Sequence, residues 1–217
     1  MPRVVAPDHG ARHRRTPSDT PVWMASPPLL LAIDLGTSGP KVALTTTRGE
    51  LVASAVESVP LMLLPGGGAE QDPDAWWRAI VRAVHGVLDA EAGSRDRVEA
   101  IACTGQWSGT VAVDGAGAPL MNAVLWMDTR GAPYVRALVR GVPSYDGYGL
   151  AKLYQWIRRT GGAPTASGKD SLAHILFLRG ERRSVFDAAH KLLEPKDSLN
   201  LKLTGRAAAT YDSIALH

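Results

Sequence analysis

The chain has 217 residues, 45% of them hydrophobic, a formal net charge of +3 and one cysteine. That length suits one large domain, or a domain with a tail, around a real core. The small charge is no footprint for nucleic acid, a lone cysteine excludes an intrachain disulfide or an all-cysteine zinc site, and no apolar run nears the roughly 18 residues of a membrane span.

Residues 1–28 carry Arg3, Arg12, Arg14 and Arg15 against Asp8 and Asp19, among many Pro, His and Ser. They lack the continuous apolar stretch of a secretory signal and read as a disordered basic tail. Met24 is a second candidate start. Cys103, inside VEAIACTG, reads as a small buried hydrophobe. Cysteine usage of this kind suits the cytoplasm.

Leu29 to Thr46 (LLLAIDLGTSGPKVALTT) reads as a strand, a tight turn and a returning strand. Asp34 stands where the first strand stops, Gly36, Thr37, Ser38 and Gly39 make the turn, and Lys41 opens the return. Such a turn offers backbone N–H groups and two hydroxyls to an anion. A carboxylate beside it can hold a mostly hydrated Mg²⁺. The residues alone leave two readings open: a nucleotide phosphate site, or a Gly-rich hairpin with an exposed Asp.

Arg48-Gly49-Glu50 is the next turn, and Leu51 to Val59 alternates as a third strand of an antiparallel meander. Leu61 to Gly68 (LMLLPGGG) ends in what reads as a mobile loop. A helix follows, with Asp72 as its N-cap, Pro73 at its first position and Gly93 at its end. Trp76, Ile80, Ala83 and Val87, widened by Trp77, Val81, Val84 and Leu88, form its apolar stripe. Both tryptophans continue that stripe and are read as core.

Val98 to Thr104 predicts a buried strand, Thr110 to Val113 another, and Ala123 to Met127 a third. Helices are predicted over Ala132 to Val139, Leu150 to Arg159 and Ser171 to Arg179, with a Gly/Pro/Ser loop at Gly161 to Gly168. Lys191 to Leu203 predicts a strand, then a helical turn from Pro195. Strands, a helix, strands, then helices make an α/β protein with a mixed β-sheet flanked by helices. The last residues are apolar, as if the chain were cut.

Five segments in order, AIDLGTSGPKVAL, EQDPDAWW, GQWSGTVAVD, VLWMDTR and LLEPKDSLNLKLTG, resemble the N-terminal lobe of the FGGY carbohydrate kinases, xylulokinases in particular. The resemblance runs over 29–217. It implies an actin-like, ribonuclease-H-like lobe, with ATP, Mg²⁺ and a sugar or polyol bound in a cleft between two lobes. It implies that Asp34 faces the metal, that Gly36, Thr37, Ser38 and Lys41 face the ATP phosphates, and that Gln106, Trp107, Ser108, Trp126, Asp128 and Arg130 face the sugar. Trp126 as core packing, and Asp128 as the N-cap of the following helix, stay open beside those roles. The catalytic base is expected in a second lobe beyond this chain, so no catalytic residue is assigned here, Asp212 included. The protein partner implied is that second lobe, or a second copy in a homodimer.

Two departures from the xylulokinase pattern stand out. Trp107-Ser108 replaces Met-His after the Gln, and Ala173-His174 stands where Pro-Lys often precedes an apolar helix. Tyr145 to Gly162 looks like an insertion, and neither His174 nor Tyr148 receives a role. Gly162 to Ser171 (GAPTASGKDS) misses the spacing of a phosphate-binding Walker loop and carries Asp170 where Ser or Thr is needed, so it reads as a loop. The function expected is ATP-dependent phosphorylation of a sugar or polyol hydroxyl. The alternative is a non-catalytic sugar-binding or regulatory remnant. An actin- or chaperone-like ATPase shares the first hairpin and leaves EQDPDAWW and WMDTR unexplained.

Overall fold

The computed structural model describes residues 27–209 and 211–214. The tail expected over 1–28 therefore lies almost wholly outside the described residues, as do the last three residues.

Leu29–Gly36 (β1), Gly39–Thr46 (β2) and Leu51–Val56 (β3) form the expected antiparallel meander. Along β1 every second residue is buried: Leu29, Leu31, Ile33 and Leu35. This period of two is what makes the stretch a strand with one face on the core. Thr46 ties the turn after β2, its hydroxyl accepting from the N–H groups of Arg48 and Glu50 at 3.3 and 3.2 Å.

The loop expected at the end of 61–68 is the turn of a hairpin. Met62–Leu64 (β4) and Gly68–Gln71 (β5) pair as a hairpin, with Pro65, Gly66 and Gly67 as its turn. The Gly/Pro cluster marks a tight reversal between two short strands rather than an open loop.

The helix begins as predicted. Asp72 caps Pro73–Asp89 (α1) by accepting from Asp74 N–H at 2.9 Å, and Pro73 opens it. Its buried line is Trp76, Ala79, Ile80, Ala83 and Val87, which lies across β2 and β3. Trp77, Val84 and Leu88 border that core, while Val81 turns outward.

Val98–Gly105 (β6) runs parallel to β1, with Ile33 beside Cys103 and Asp34 beside Thr104. The sheet order is β3-β2-β1-β6. The expectation of a buried strand fails here. β6 is the sheet edge, α1 lies over β2 and β3, and Ile101 is 48% exposed. An apolar run shows that a strand forms, not whether a neighbour covers it. Cys103 is half-buried, and that burial pushes its thiol up.

Val111–Val113 (β7) is wholly buried, and Ala123–Val124 (β8) joins the β4–β5 hairpin as the third strand of a second sheet. The strand predicted over 123–127 is cut to two residues, because Asp128 N–H turns back to Leu125 C=O at 2.9 Å. Ala132–Val139 (α2) follows as predicted. Ser144–Tyr145 (β9) and Tyr148–Gly149 (β10) form a small unforeseen hairpin in the insertion. Leu150–Thr160 (α3) and Ser171–Glu181 (α4) match their predictions within a residue or two, and Arg183–Ala188 (α5) is additional. Lys191–Leu193 (β11) pairs with β7, and Pro195–Thr204 (α6) starts at the predicted proline. Tyr211–Ile214 (α7) is the last described element. Among the described residues no helix is long and apolar enough to cross a membrane.

Candidate functional site

β1 and β6 are parallel neighbours, so their carboxyl ends open on the same side, where crevices of α/β sheets form. Gln106 N–H donates to Leu35 C=O at 2.7 Å and sets the start of the second loop against the first. Between them lies a cleft of about 390 Å³. Of the predicted residues, Asp34, Gly36, Thr37, Gln106, Trp107, Ser108 and Trp126 line it.

The first loop reverses between Gly36 and Gly39, which face each other across the hairpin. Gly39 has φ +138°, and a Cβ there would lie 2.0 Å from Glu57 C=O. Only glycine allows the strand to pass so close. Ser38 is exposed at the tip, its carbonyl accepting Val59 N–H at 3.1 Å. Asp34 and Lys41 are cross-strand neighbours in an exposed ion pair of 3.2 Å.

Thr37 is the hub. Its hydroxyl donates to Gln106 Oε1 at 3.2 Å and accepts from Trp126 Nε1 at 3.0 Å. Its carbonyl accepts Gln71 Nε2 at 2.8 Å. Gln71, fully buried, also accepts from Trp76 Nε1 at 3.0 Å and from Gln106 Nε2 at 3.2 Å. Trp76 is thus core, as read from the sequence, and also the anchor of this chain of bonds. Trp126 is 42% exposed and Trp107 59%, so each presents ring surface to solvent in the cleft.

Ser108 sits at φ +58°, a left-handed conformation uncommon for serine, and is buried. Three ties hold it. Its hydroxyl donates to Lys169 C=O at 3.2 Å. Its N–H bonds the Glu194 carboxyl. The next residue, Gly109, lies so near Pro195 that a Cβ would stand 2.7 Å from the proline ring. Burial pushes the Glu194 carboxyl up to about 7, with Asp197 adding to the rise and the bonds from Ser108 and Ser171 working against it.

Asp128 and Arg130 are placed elsewhere. Asp128 is fully buried, accepting from Ala69 N–H and Arg130 N–H, both at 2.9 Å. Arg130 Nη2 is 2.7 Å from both Asp128 and Glu70, and its guanidinium lies 4.3 Å from the centre of the Phe177 ring. Burial works against the Arg130 charge, and the two carboxylates outweigh it, raising its pKa. The pair fastens the VLWMDTR segment to β5, and neither residue lines the cleft. The capping role considered for Asp128 is not seen: Gly131 precedes α2 without a side-chain cap.

Residues that sequence reasoning missed stand close by. Lys169 lines the cleft beside Ser108, from the loop that fails the Walker spacing. Gln71 lies in EQDPDAWW and Glu194 in LLEPKDS, so both motifs were visible without these roles. His174 is fully buried against Thr110, with Nδ1 3.3 Å from Thr110 Oγ1. Burial pushes it down to about 4, against the pull of Asp128 and Asp170.

The N-terminal domain of the FGGY family of carbohydrate kinases matches residues 29–215. The chain belongs to this family. It is 31% identical to the xylulose kinase of Escherichia coli K12 over 187 residues, 86% of this chain and 36% of that protein. It is 32% identical to the xylulose kinase of Streptomyces coelicolor over 193 residues, 88% of this chain and 37% of that protein. A crystal structure described as a xyloylose kinase from Brucella ovis superposes with TM-score 0.76 at 25% identity, covering 87% of this chain and 36% of that one. The ligand-bound xylulose kinase of Lactobacillus acidophilus gives TM-score 0.74 at 22% identity, a likeness of fold. This FGGY chain therefore has the actin-like, ribonuclease-H-like α/β fold and spans about a third of the length of the relatives it matches.

Proposed function

We propose that residues 29–217 are the N-terminal, substrate-binding lobe of a cytoplasmic ATP-dependent carbohydrate kinase, which transfers the γ-phosphoryl group of ATP to a hydroxyl of a sugar or polyol. One observation carries the reading. The Thr37 hydroxyl joins the phosphate turn to both Gln106 and Trp126, so the two ligand-facing segments share one cleft. Phosphoryl transfer depends mainly on such joint positioning of donor and acceptor.

The residues fit Mg²⁺ with ATP. Asp34 offers one exposed carboxylate at the turn, and no group of three metal-ligating side chains occurs among the described residues. That donor set suits a cation that keeps its waters and takes phosphate oxygens rather than one caged by protein. Bound MgATP supplies the phosphoryl group. The turn 36–39 offers its N–H groups to the phosphates, and Lys41 screens their charge. Trp107 and Trp126 give flat apolar faces to a sugar ring or chain, while Gln106 and Ser108 give polar contacts. The base that deprotonates the acceptor belongs to a second lobe in this reading.

Calorimetric titration of the 217-residue chain with D-xylulose, xylitol and MgATP tests it. Binding of sugar and of MgATP is expected, with the Mg²⁺-dependent part of nucleotide binding lost in Asp34→Ala. Sugar binding with no response to MgATP supports the non-catalytic remnant instead. No binding of either ligand removes both readings.

A further inference from the structure

Lys169 is exposed, yet its backbone is fixed on three sides. Its carbonyl accepts the Ser108 hydroxyl at 3.2 Å. Gly168 before it has φ +79°, and a Cβ there would lie 2.3 Å from Ala132 N. Asp170 after it is buried and caps α4 through Ala173 N–H at 2.9 Å. The loop is a rigid mount that places Lys169 in the lining of the cleft, with Ser108 and Trp126.

Among the described residues, no acid answers that charge. Asp170 spends one oxygen on Ala173 and the other on the Thr165 N–H and hydroxyl. Asp34, which also lines the cleft, is paired with Lys41. Asp128 and Glu70 are paired with Arg130. The Glu194 carboxyl takes the Ser171 hydroxyl and the Ser108 N–H. An isolated surface lysine is ordinarily a solvated one. Lys169 differs in its place: it faces a concave wall with indole rings, where bound ligand displaces water and charge pairs strengthen. A neutral sugar hydroxyl accepts a hydrogen bond from it but leaves its charge unanswered, whereas a carboxylate does both.

We infer that Lys169 determines specificity and that the substrate is a sugar acid, its carboxylate held by the Lys169 ammonium while Trp107 and Trp126 flank its carbon chain. This rests on the kinase reading above. The carboxylate then lies at the Ser108 end, and the hydroxyl that receives phosphate points toward Asp34 and the turn.

Charge-matched pairs test the assignment: D-xylonate against xylitol, and D-gluconate against D-glucitol, titrated calorimetrically into the 217-residue chain, with MgATP titrated separately. The acid is expected to bind roughly tenfold more tightly than its polyol. That preference should vanish in Lys169→Met, persist in Lys169→Arg, and shrink as salt is raised. Equal binding of acid and polyol by the unaltered chain overturns the inference and leaves the kinase reading intact. Loss of MgATP binding in Lys169→Met, with the acid preference kept, assigns the lysine to phosphate and also overturns it. No binding of any sugar, acid or nucleotide removes the kinase reading together with the inference.

Discussion

Trp126 donates its indole N–H to the Thr37 hydroxyl at 3.0 Å, across 89 residues of sequence. Removing the donor while keeping an aromatic ring isolates that bond. Trp126→Phe is expected to lower stability by about 1 kcal/mol, the usual net worth of a hydrogen bond. Urea denaturation of Trp126→Phe, Thr37→Val and the double variant measures the coupling. Strict additivity would show that the bond contributes nothing.

The two ion-pair systems near the site should respond very differently. Arg130 neutralises two buried carboxylates, Asp128 and Glu70. Arg130→Met strands both and is expected to destabilise by about 3–5 kcal/mol or to prevent folding. Lys41→Met breaks an exposed pair and is expected to change stability by at most about 1 kcal/mol. Thermal unfolding followed by circular dichroism separates them. Similar effects from both variants would contradict the buried network.

Gly39→Ala tests the hairpin. The new methyl group would meet Glu57 C=O in a backbone conformation that L-residues avoid. The variant is expected to lose at least about 2 kcal/mol. A soluble variant with unchanged urea midpoint would refute the close approach.

Two buried titrating groups oppose each other. His174 drops from 6.5 to about 4 on folding, so the unfolded chain binds the extra proton between those values and stability falls as pH falls through that window. Glu194 rises from 4.5 to about 7, so the folded chain holds the extra proton and stability falls as pH rises through that window. Where the windows overlap, between 4.5 and 6.5, the two slopes cancel. Glu194→Gln keeps an acceptor for the Ser108 N–H and removes one slope. Its stability is expected to rise by roughly 1.4 kcal/mol per pH unit across the overlap, relative to the unaltered chain. Urea midpoints at several pH values check this, and parallel profiles for the two proteins would contradict it.

Local patterns carried much of this fold. The alternation of β1 and β2, the Asp72-Pro73 start of α1 and the Pro195 start of α6 each act within a few residues, and each is where the sequence places it. What was illegible depends on distant partners. The exposure of β6 follows from its place at the sheet edge, and the burial of Asp128 follows from Glu70 and Ala69, far away in the chain. The family resemblance implied a sugar contact for Asp128 and Arg130, and in this structure neither lines the cleft that holds Trp126. Lys169 sits in a loop with no periodicity, and contacts distant in sequence, from Ser108 and Ala132, bring it to the site.

The parallel register of β1 and β6 separates spacing from recognition. Leu35 and Gln106 set the distance between the two loops through the backbone, and Gly109 is pressed against Pro195 just beyond them. Between those fixed points Ser108 is buried and tied to Lys169, while Trp107, 59% exposed, is the side chain free to vary. Rewriting position 107 changes what the cleft grips while the backbone bond from Gln106 to Leu35 keeps the two loops at their distance, so new acceptors can be sought by varying one codon.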